Sequence, residues 1–468
     1  MSVSVPGQIF REYDIRGVAD RDLSDAIAHG IGRGFGKMLG PPPEKGPLRV
    51  AVGRDCRLSS PRLFEALTKG LIESGIHVVD IGIGPTPMLY FAAHHLGTNG
   101  AVMITGSHNP GNENGFKMMR GKASFYGPEI QTLKGLIEKG DFGGGGPGKM
   151  DVRDVQDAYV EEMKTRFDFS KHAGLGFVLD AGNGAGGPLG VRTMKALGLS
   201  PDTLFCEMDG NFPNHHPDPT VLENIAALVD RVRSTGARVG LAFDGDADRL
   251  GAVDEKGEVI WGDKLMILFS RALLKETPGA TILGEVKCSQ TLYDDIAKHG
   301  GNPIVWKTGH SLIKTKMKET GALLAGEMSG HLFFADRYRG YDDAIYASLR
   351  LLEIVANDPR PLSEMLADVP KTFTTPELRV DCPDAIKFQV VAAVTKHFKD
   401  KGNPVLDIDG ARITFPGDGR APKWGLVRAS NTGPVLVMRF EAGTSAELDT
   451  IRSEVESVVK AERSKLGG

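Results

Sequence analysis

The stretch RVGLAFDGDADR, residues 238–249, runs from an apolar segment straight into three carboxylates at alternate positions, Asp244, Asp246 and Asp248. A short apolar run bounded by turn residues reads as a buried strand, and a loop at its C-terminal end can turn all three carboxylates onto one point. The same sequence of strand and polar loop recurs in LRVAVGRD at 48–55, GAVMITGSHNP at 100–110, GFVLDAGNG at 176–184 and ATILGEVKCS at 280–289. Helical stretches lie between them. In SPRLFEALTKGLIESG at 60–75, Ser60 reads as the N-cap, Pro61 as the first helical residue and Gly75 as the stop. Strand, loop and helix in alternation predict an α/β fold with mostly buried strands.

At 468 residues the chain is too long for one ordinary domain and suits three or four, with a cleft between them. DFGGGGPGKMD at 141–151 lacks an apolar periodicity and reads as a surface connection, and a second break falls near DEKGEVI at 254–260. After the proline-rich NDPRPLSEMLADVP at 357–370 come alternating strands, PELRVDC and VLVMRFEA, around one clear helix, FQVVAAVTKHFKDKG, as expected of a smaller α+β domain. The expected domains are therefore 1–152, 153–254, 255–370 and 371–468.

A net charge of -4 lacks the basic footprint of a nucleic-acid protein, so a small-molecule partner is expected. Arg11, Glu12, Asp14 and Arg16 stand where a signal peptide needs an apolar core, and no apolar run approaches the ~20 residues of a membrane span, so a cytoplasmic protein with no membrane partner is expected. Cys56, Cys206, Cys288 and Cys382 are scattered without a zinc spacing and read as reduced, packed thiols.

Two glycine patterns compete for attention. GGGGPGKM at 143–150 imitates a P-loop, but Met150 replaces the metal-binding hydroxyl and no strand precedes it. GNGAGG at 182–187 follows a strand and has Glu207 downstream, which keeps a nucleotide-dependent dehydrogenase open as a second reading. The acidic loop is more specific. Three clustered carboxylates repel unless a cation neutralises them, and hard oxygen donors suit Mg²⁺. An EF-hand is excluded by Arg249 at the required glycine and by a strand in place of the entering helix.

TGSHNP at 105–110 presents Ser107 at a loop tip after a strand, without the elbow of the serine hydrolases. Beside a Mg²⁺ site and Lys117, a phosphate-carrying serine becomes the sharper reading than a helix cap. TGHSLIK at 308–314 and GEMSGH at 326–331 supply His310, Glu327, Ser329 and His331, groups suited to sugar hydroxyls. RASNTGP at 428–434 supplies Arg428, Ser430, Asn431 and Thr432, a guanidinium fork with hydroxyls and backbone N–H groups that suits a phosphate dianion.

Together, TGSHNP, DGDADR, GEMSGH and RASNTGP, in this order along nearly the whole chain, resemble the α-D-phosphohexomutase family and its bacterial phosphomannomutase/phosphoglucomutase branch. The resemblance implies three related mixed-sheet α/β domains and a smaller C-terminal α+β domain around a central cleft. It implies that Ser107 is phosphorylated, that Ser107, Asp244, Asp246 and Asp248 hold Mg²⁺, and that GEMSGH reads the sugar. The expected reaction is an isomerisation of mannose or glucose 6-phosphate to the 1-phosphate through a hexose 1,6-bisphosphate, which also serves as activator. Lys117, Arg16 and His108 are candidates for proton transfer and for anchoring the reacting oxygens, and Arg249 and Lys287 for added positive charge. A monomer is expected. The same residues leave room for a phosphatase that uses Asp244 as the phosphoryl carrier and for a non-catalytic sugar-phosphate sensor.

Overall fold

The computed structural model describes residues 5–44, 46–143, 145–146, 148–417, 421–431 and 433–467. Four sheets follow one another. The first runs Ile15–Val18, Glu113–Arg120, Gly100–Ile104, Arg49–Arg54, His77–Ile83 and Met150–Val152, with Ala123–Phe125 added on Glu113–Arg120. The second runs Val259–Ile260, Leu250–Asp254, Val239–Phe243, Phe177–Asp180 and Asp202–Leu204, and the third Asn302–Trp306, Thr281–Glu285, Leu324–Gly326 and Leu332–Phe334. These three mix parallel and antiparallel pairs and carry helices, as α/β units do. The fourth is antiparallel: Phe373–Thr374, Val435–Ala442, Trp424–Ala429, Ala411–Thr414 and Val405–Leu406, with Leu378–Asp381 also on Val435–Ala442.

The strand preceding each of the first two motif loops is buried on both faces. Gly100–Ile104 and Val239–Phe243 have no exposed residue, which explains their unbroken apolar sequences. Each such strand turns back on an antiparallel neighbour, and the motif loop is the turn. Gly100–Ile104 pairs with Glu113–Arg120, Val239–Phe243 with Leu250–Asp254, and Leu324–Gly326 with Leu332–Phe334. In the fourth sheet Trp424–Ala429 and Val435–Ala442 enclose RASNTGP in the same way. Four chemically distinct loops thus occupy one topological position.

Three readings of the sequence need correction. The helix SPRLFEALTKGLIE covers Ser60–Glu73, and Ser60 is inside it: its hydroxyl donates to Asp55 Oδ1 at 2.6 Å instead of capping. The break expected after residue 254 falls later, because Val259–Ile260 pairs with Leu250–Asp254 and the turn between them belongs to the second sheet. The last domain has two long helices, Lys387–Asp400 and Ser445–Lys465. The second buries Ile451, Val455 and Val459 and packs Leu448 and Val458 partly against the same core, a stripe interspersed with charged residues in the sequence.

One apolar cluster runs continuously through the first three units, while the fourth has its own. A small patch, Val286, Trp424 and Leu426, joins the fourth to the third. Buried charges reinforce it. Arg412 lies over the Trp424 ring at 3.8 Å and donates to the carbonyls of Val286 and Cys288 at 2.6 and 2.8 Å. Glu441 accepts from Ser289 Oγ at 2.6 Å and from Gln290 N at 3.0 Å. Among the described residues no helix is long and apolar enough to cross a membrane.

The helix Ala344–Asn357 packs between the second and third units, and Asp343 caps it by accepting from Tyr346 N at 2.9 Å. Tyr159 and Tyr338 hydroxyls also donate to this carboxylate, at 2.9 and 2.8 Å. Burial outweighs these bonds and pushes the Asp343 carboxyl up to about 6, from 3.8. A carboxyl raised on folding stabilises fully below its unfolded value, and that contribution is lost as pH rises through the folded value. Asp343→Asn keeps a capping oxygen and cannot ionise. Its stability relative to wild type, from denaturation midpoints, should improve by roughly 2–3 kcal/mol between pH 4 and pH 6.5. A pH-independent difference would show that Asp343 titrates normally.

Candidate active site

The serine loop is held from behind. Ser107 is 1% exposed and takes φ +50, a left-handed conformation that non-glycine residues seldom adopt. Arg57, buried completely, holds the loop in that shape by donating to the carbonyls of Ser107, Asn109, Pro110 and Glu113 at 2.7, 2.7, 2.5 and 3.0 Å. Asp55 orients Arg57 across 3.2 Å and accepts from Gly106 N at 3.1 Å. Four carbonyls on one guanidinium fix the backbone, and the Ser107 hydroxyl is left to face the second unit.

It faces the acidic loop. Ser107 Oγ donates to Asp244 Oδ2 at 2.9 Å, and His108 Nδ1 stands 3.2 Å from the same hydroxyl. The approach of the two loops requires Gly245, where a Cβ would stand 2.3 Å from the Ser107 carbonyl oxygen. Asp244, Asp246 and Asp248 are fully buried, with ligand oxygens all within 4.8 Å of one another. Lys117, reaching from the first unit, donates to Asp246 at 2.7 Å and also contacts Asp248. The Thr86 hydroxyl donates to Asp246 at 2.5 Å.

These charges set each other's protonation. Burial, with the Asp248 and Asp246 charges alongside, pushes the Asp244 carboxyl well above the usual range. Burial alone would raise Asp246 too, but the Lys117 ammonium overrides it and holds that carboxyl low. Conversely, Lys117 and Arg16 stay protonated despite burial, through Asp246 and Asp248 for the lysine and through Asp14 for the arginine. Arg16 donates to Asp14 at 2.7 Å, to Gly106 O at 3.2 Å and to Asn109 Oδ1 at 3.1 Å. His108 is pushed well below its usual value by burial and by the Arg249 and Arg16 charges, so its imidazole is neutral.

A divalent cation fits this pocket. The donors are all hard oxygens, and the buried Asp246 Oδ1 and Asp248 Oδ1 have no hydrogen-bond partner among the described residues. Asp248 also faces a second cluster, formed by His331 and Asp342. His331 Nδ1 stands 3.0 Å from Asp342 Oδ2 and 3.6 Å from Asp248 Oδ1, while its Nε2 accepts from Arg249 Nε at 3.0 Å. That contact makes Nε2 the unprotonated nitrogen and places the proton on Nδ1, between two carboxylates. Lys314 balances Asp342 at 3.0 Å.

The sugar loops meet at a buried carboxylate that the sequence does not single out. Glu285 accepts from Lys287 N at 2.9 Å, from Thr308 Oγ1 at 2.7 Å and from Met328 N at 3.4 Å, joining three loops. Glu327 accepts from Gly309 N at 2.8 Å and from Ser329 Oγ at 3.0 Å. Lys287 Nζ bonds Glu377 at 3.0 Å. His310 stacks on His331 with ring centroids 5.7 Å apart and, pushed low by burial and by Lys314, is neutral.

Tyr13 draws the fourth unit in. Its hydroxyl donates to Thr308 O at 2.8 Å and accepts from Asn431 Nδ2 at 2.8 Å, so the first, third and fourth units meet on one oxygen. Arg428 is 5% exposed and bonds Asp409 at 3.1 Å. Ser430 sits in the same turn, its carbonyl accepting from Lys387 Nζ at 2.5 Å. Thr432 lies outside the described residues.

The serine, acidic, sugar and arginine loops are thus linked by an unbroken run of contacts, with Arg57, Asp55, Glu285, Tyr13 and Asp409 as supports not singled out from sequence. Asp55 and Glu285 carried a signal, since Asp55, like Asp244, directly follows a buried strand and Glu285 ends one. The 182–187 glycines lie behind this centre. A Cβ at Gly184 would stand 2.7 Å from Gly245 O, and one at Gly187 2.2 Å from Cys206 O, so close packing accounts for them.

Comparison with known proteins agrees with this arrangement. Models of phosphoglucomutase/phosphomannomutase alpha/beta/alpha domains I, II and III match residues 7–143, 157–257 and 261–373, and the model of the C-terminal domain matches 377–458. The chain is 44% identical over 463 residues to a phosphomannomutase/phosphoglucomutase of Pseudomonas aeruginosa, covering 99% of this chain and 98% of that protein. It is 44% identical over 461 residues to a phosphoglucomutase of Neisseria gonorrhoeae, covering 98% of each. The crystal structure of a phosphoglucomutase/phosphomannomutase family protein from Burkholderia thailandensis superposes with a TM-score of 0.89 at 42% identity over 98% of both chains. Four matched domains in order, on a chain whose serine and acidic loops meet at hydrogen-bond distance, make this protein a member of the phosphoglucomutase/phosphomannomutase family, within the α-D-phosphohexomutases.

Proposed function

We propose that the protein is a phosphohexomutase that interconverts the 6- and 1-phosphates of mannose and glucose by way of phosphoserine 107 and a hexose 1,6-bisphosphate. The observation that carries this reading is the buried Ser107 hydroxyl held 2.9 Å from Asp244 by loops of two different units. A hexose monophosphate cannot exchange positions without a phosphoryl donor, and a serine ester in this position is one. The bond from Ser107 Oγ to phosphorus breaks as the free substrate hydroxyl attacks; the hydroxyl proton passes to a neighbouring base, and the released Ser107 oxygen takes up a proton to become a hydroxyl again. The bisphosphate then turns over in the cleft, and its other phosphoryl group returns to Ser107.

The residues divide this work. Lys117 and Arg16, held as cations, anchor the reacting oxygens. His108 Nδ1 lies 3.2 Å from Ser107 Oγ, within reach to exchange a proton with that oxygen. Ser107, Asp244, Asp246 and Asp248 would hold Mg²⁺, which when bound offsets charge on the transferring group. Arg249 adds positive charge. Lys287, His310, Glu327, Ser329 and His331 bind the sugar and its phosphate, and Arg428, Ser430, Asn431 and Thr432 hold the phosphate that is not reacting. One chain supplies every one of these groups, in keeping with a functional monomer, and free hexose 1,6-bisphosphate would recharge Ser107.

Phosphopeptide mapping of active enzyme should find the phosphoryl group on Ser107. Unmodified active protein that hexose 1,6-bisphosphate fails to stimulate would refute the mechanism. Arg428→Ala should act mainly on affinity, since the distal phosphate is bound in ground state and transition state alike. A hydrogen bond to a charged group contributes roughly 1.5–3 kcal/mol, so KM for glucose 1-phosphate should rise by about one to two orders of magnitude. Steady-state kinetics on a variant with normal circular dichroism measures it, and an unaltered KM would place the phosphate elsewhere.

A further inference from the structure

The turn Asp407–Gly410 joins strand Val405–Leu406 to strand Ala411–Thr414. Gly410 takes φ +94, and a Cβ there would stand 2.4 Å from Val427 O and 2.7 Å from Arg428 Cβ. Only glycine lets the turn lie this close to the strand bearing Arg428, and the closeness sets Asp409 beside the guanidinium. Asp409 Oδ2 accepts from Arg428 Nε at 3.1 Å and from Thr308 N at 3.0 Å, while Oδ1 accepts from Arg428 Nη2 at 3.5 Å. The two side chains are 6% and 14% exposed, so water screens the pair little.

In the phosphohexomutase reading, on which this inference rests, Arg428 has to hold a phosphate dianion and later release it. The bisphosphate cannot turn over while one end stays fixed. A full negative charge on the same guanidinium opposes the dianion. We propose that Asp409 is a positioning residue that sets Arg428's grip: it orients the guanidinium and keeps phosphate binding weak enough for the intermediate to let go. Its bond to Thr308 N puts this control at the junction of the third and fourth units, where Tyr13 also meets Asn431.

Asp409→Asn isolates the charge. Both short bonds use the same oxygen, so an amide oxygen there keeps Arg428 Nε and Thr308 N as partners. Calorimetry on the full chain carrying Ser107→Ala, which blocks turnover, should show glucose 1-phosphate binding tightened by about three- to tenfold on adding Asp409→Asn, as expected for removing a like charge near a dianion. In the enzyme with Ser107 intact, KM should fall and kcat should fall with it, because release slows. A carboxylate with a merely structural role predicts the opposite sign, weaker binding and a higher KM. Unchanged or weakened binding in a folded variant overturns the proposal, and so does tighter binding with an undiminished kcat. If Asp409→Asn fails to fold by circular dichroism, Asp409→Gln, which also lacks the charge and keeps an amide oxygen for Arg428, is judged by the same criteria. A wild-type chain that neither binds nor converts glucose 1-phosphate would instead overturn the mutase reading itself.

Discussion

Three carboxylates with no exposure cannot stand together in one loop on their own account. Taking ions out of water costs several kcal/mol each, and like charges at this spacing add to it. The compensation comes from a different unit of the fold: Lys117 and the hydroxyls of Thr86 and Ser107 all belong to the first sheet's side of the cleft. The second unit is thereby bound to the first by its own electrostatic deficit. Gly245 permits the approach, and the left-handed Ser107 and the Arg57 clamp shape the surface it meets. Chemistry and domain docking rest on the same few charges.

The third and fourth units are joined differently. Their junction is made of arginines that donate to carbonyls, Arg412 to Val286 and Cys288, and of the Glu441 carboxylate that gathers Ser289 and Gln290. On the cleft side Asn431 meets Tyr13, Asp409 meets Thr308 and Glu377 meets Lys287, each through a single short bond. A small buried seam with a few polar contacts across the cleft holds the fourth unit less firmly than the shared apolar cluster holds the first three to one another.

The four motif loops are legible in the sequence because their residue types are expensive to bury without a purpose. Alternate aspartates after an apolar strand, or an arginine followed by hydroxyls and glycine, have few structural explanations. The strands are legible because burial on both faces leaves an unbroken apolar run. The supports are not. Nothing in the sequence pattern marks Arg57, Arg412 and Glu441 as buried, and only the folded chain shows the carbonyls and donors gathered around them. Ser60 misleads because a capping serine and a serine bonded to a buried aspartate look alike in one dimension. The helix Ser445–Lys465 is hidden because its packed residues, Leu448, Ile451, Val455, Val458 and Val459, are interspersed with charged ones.

Each motif loop is a turn between two paired strands of its own sheet, and the register of those strands is fixed by side chains buried elsewhere. A loop held at both ends in this way keeps its own sheet intact when its composition changes, and only its few contacts to the other loops have to be matched. The architecture therefore separates inheritance of the chemical step from inheritance of substrate range. The serine and acidic loops can stay constant while descendants of this chain acquire different sugar preferences through the turn at 327–331.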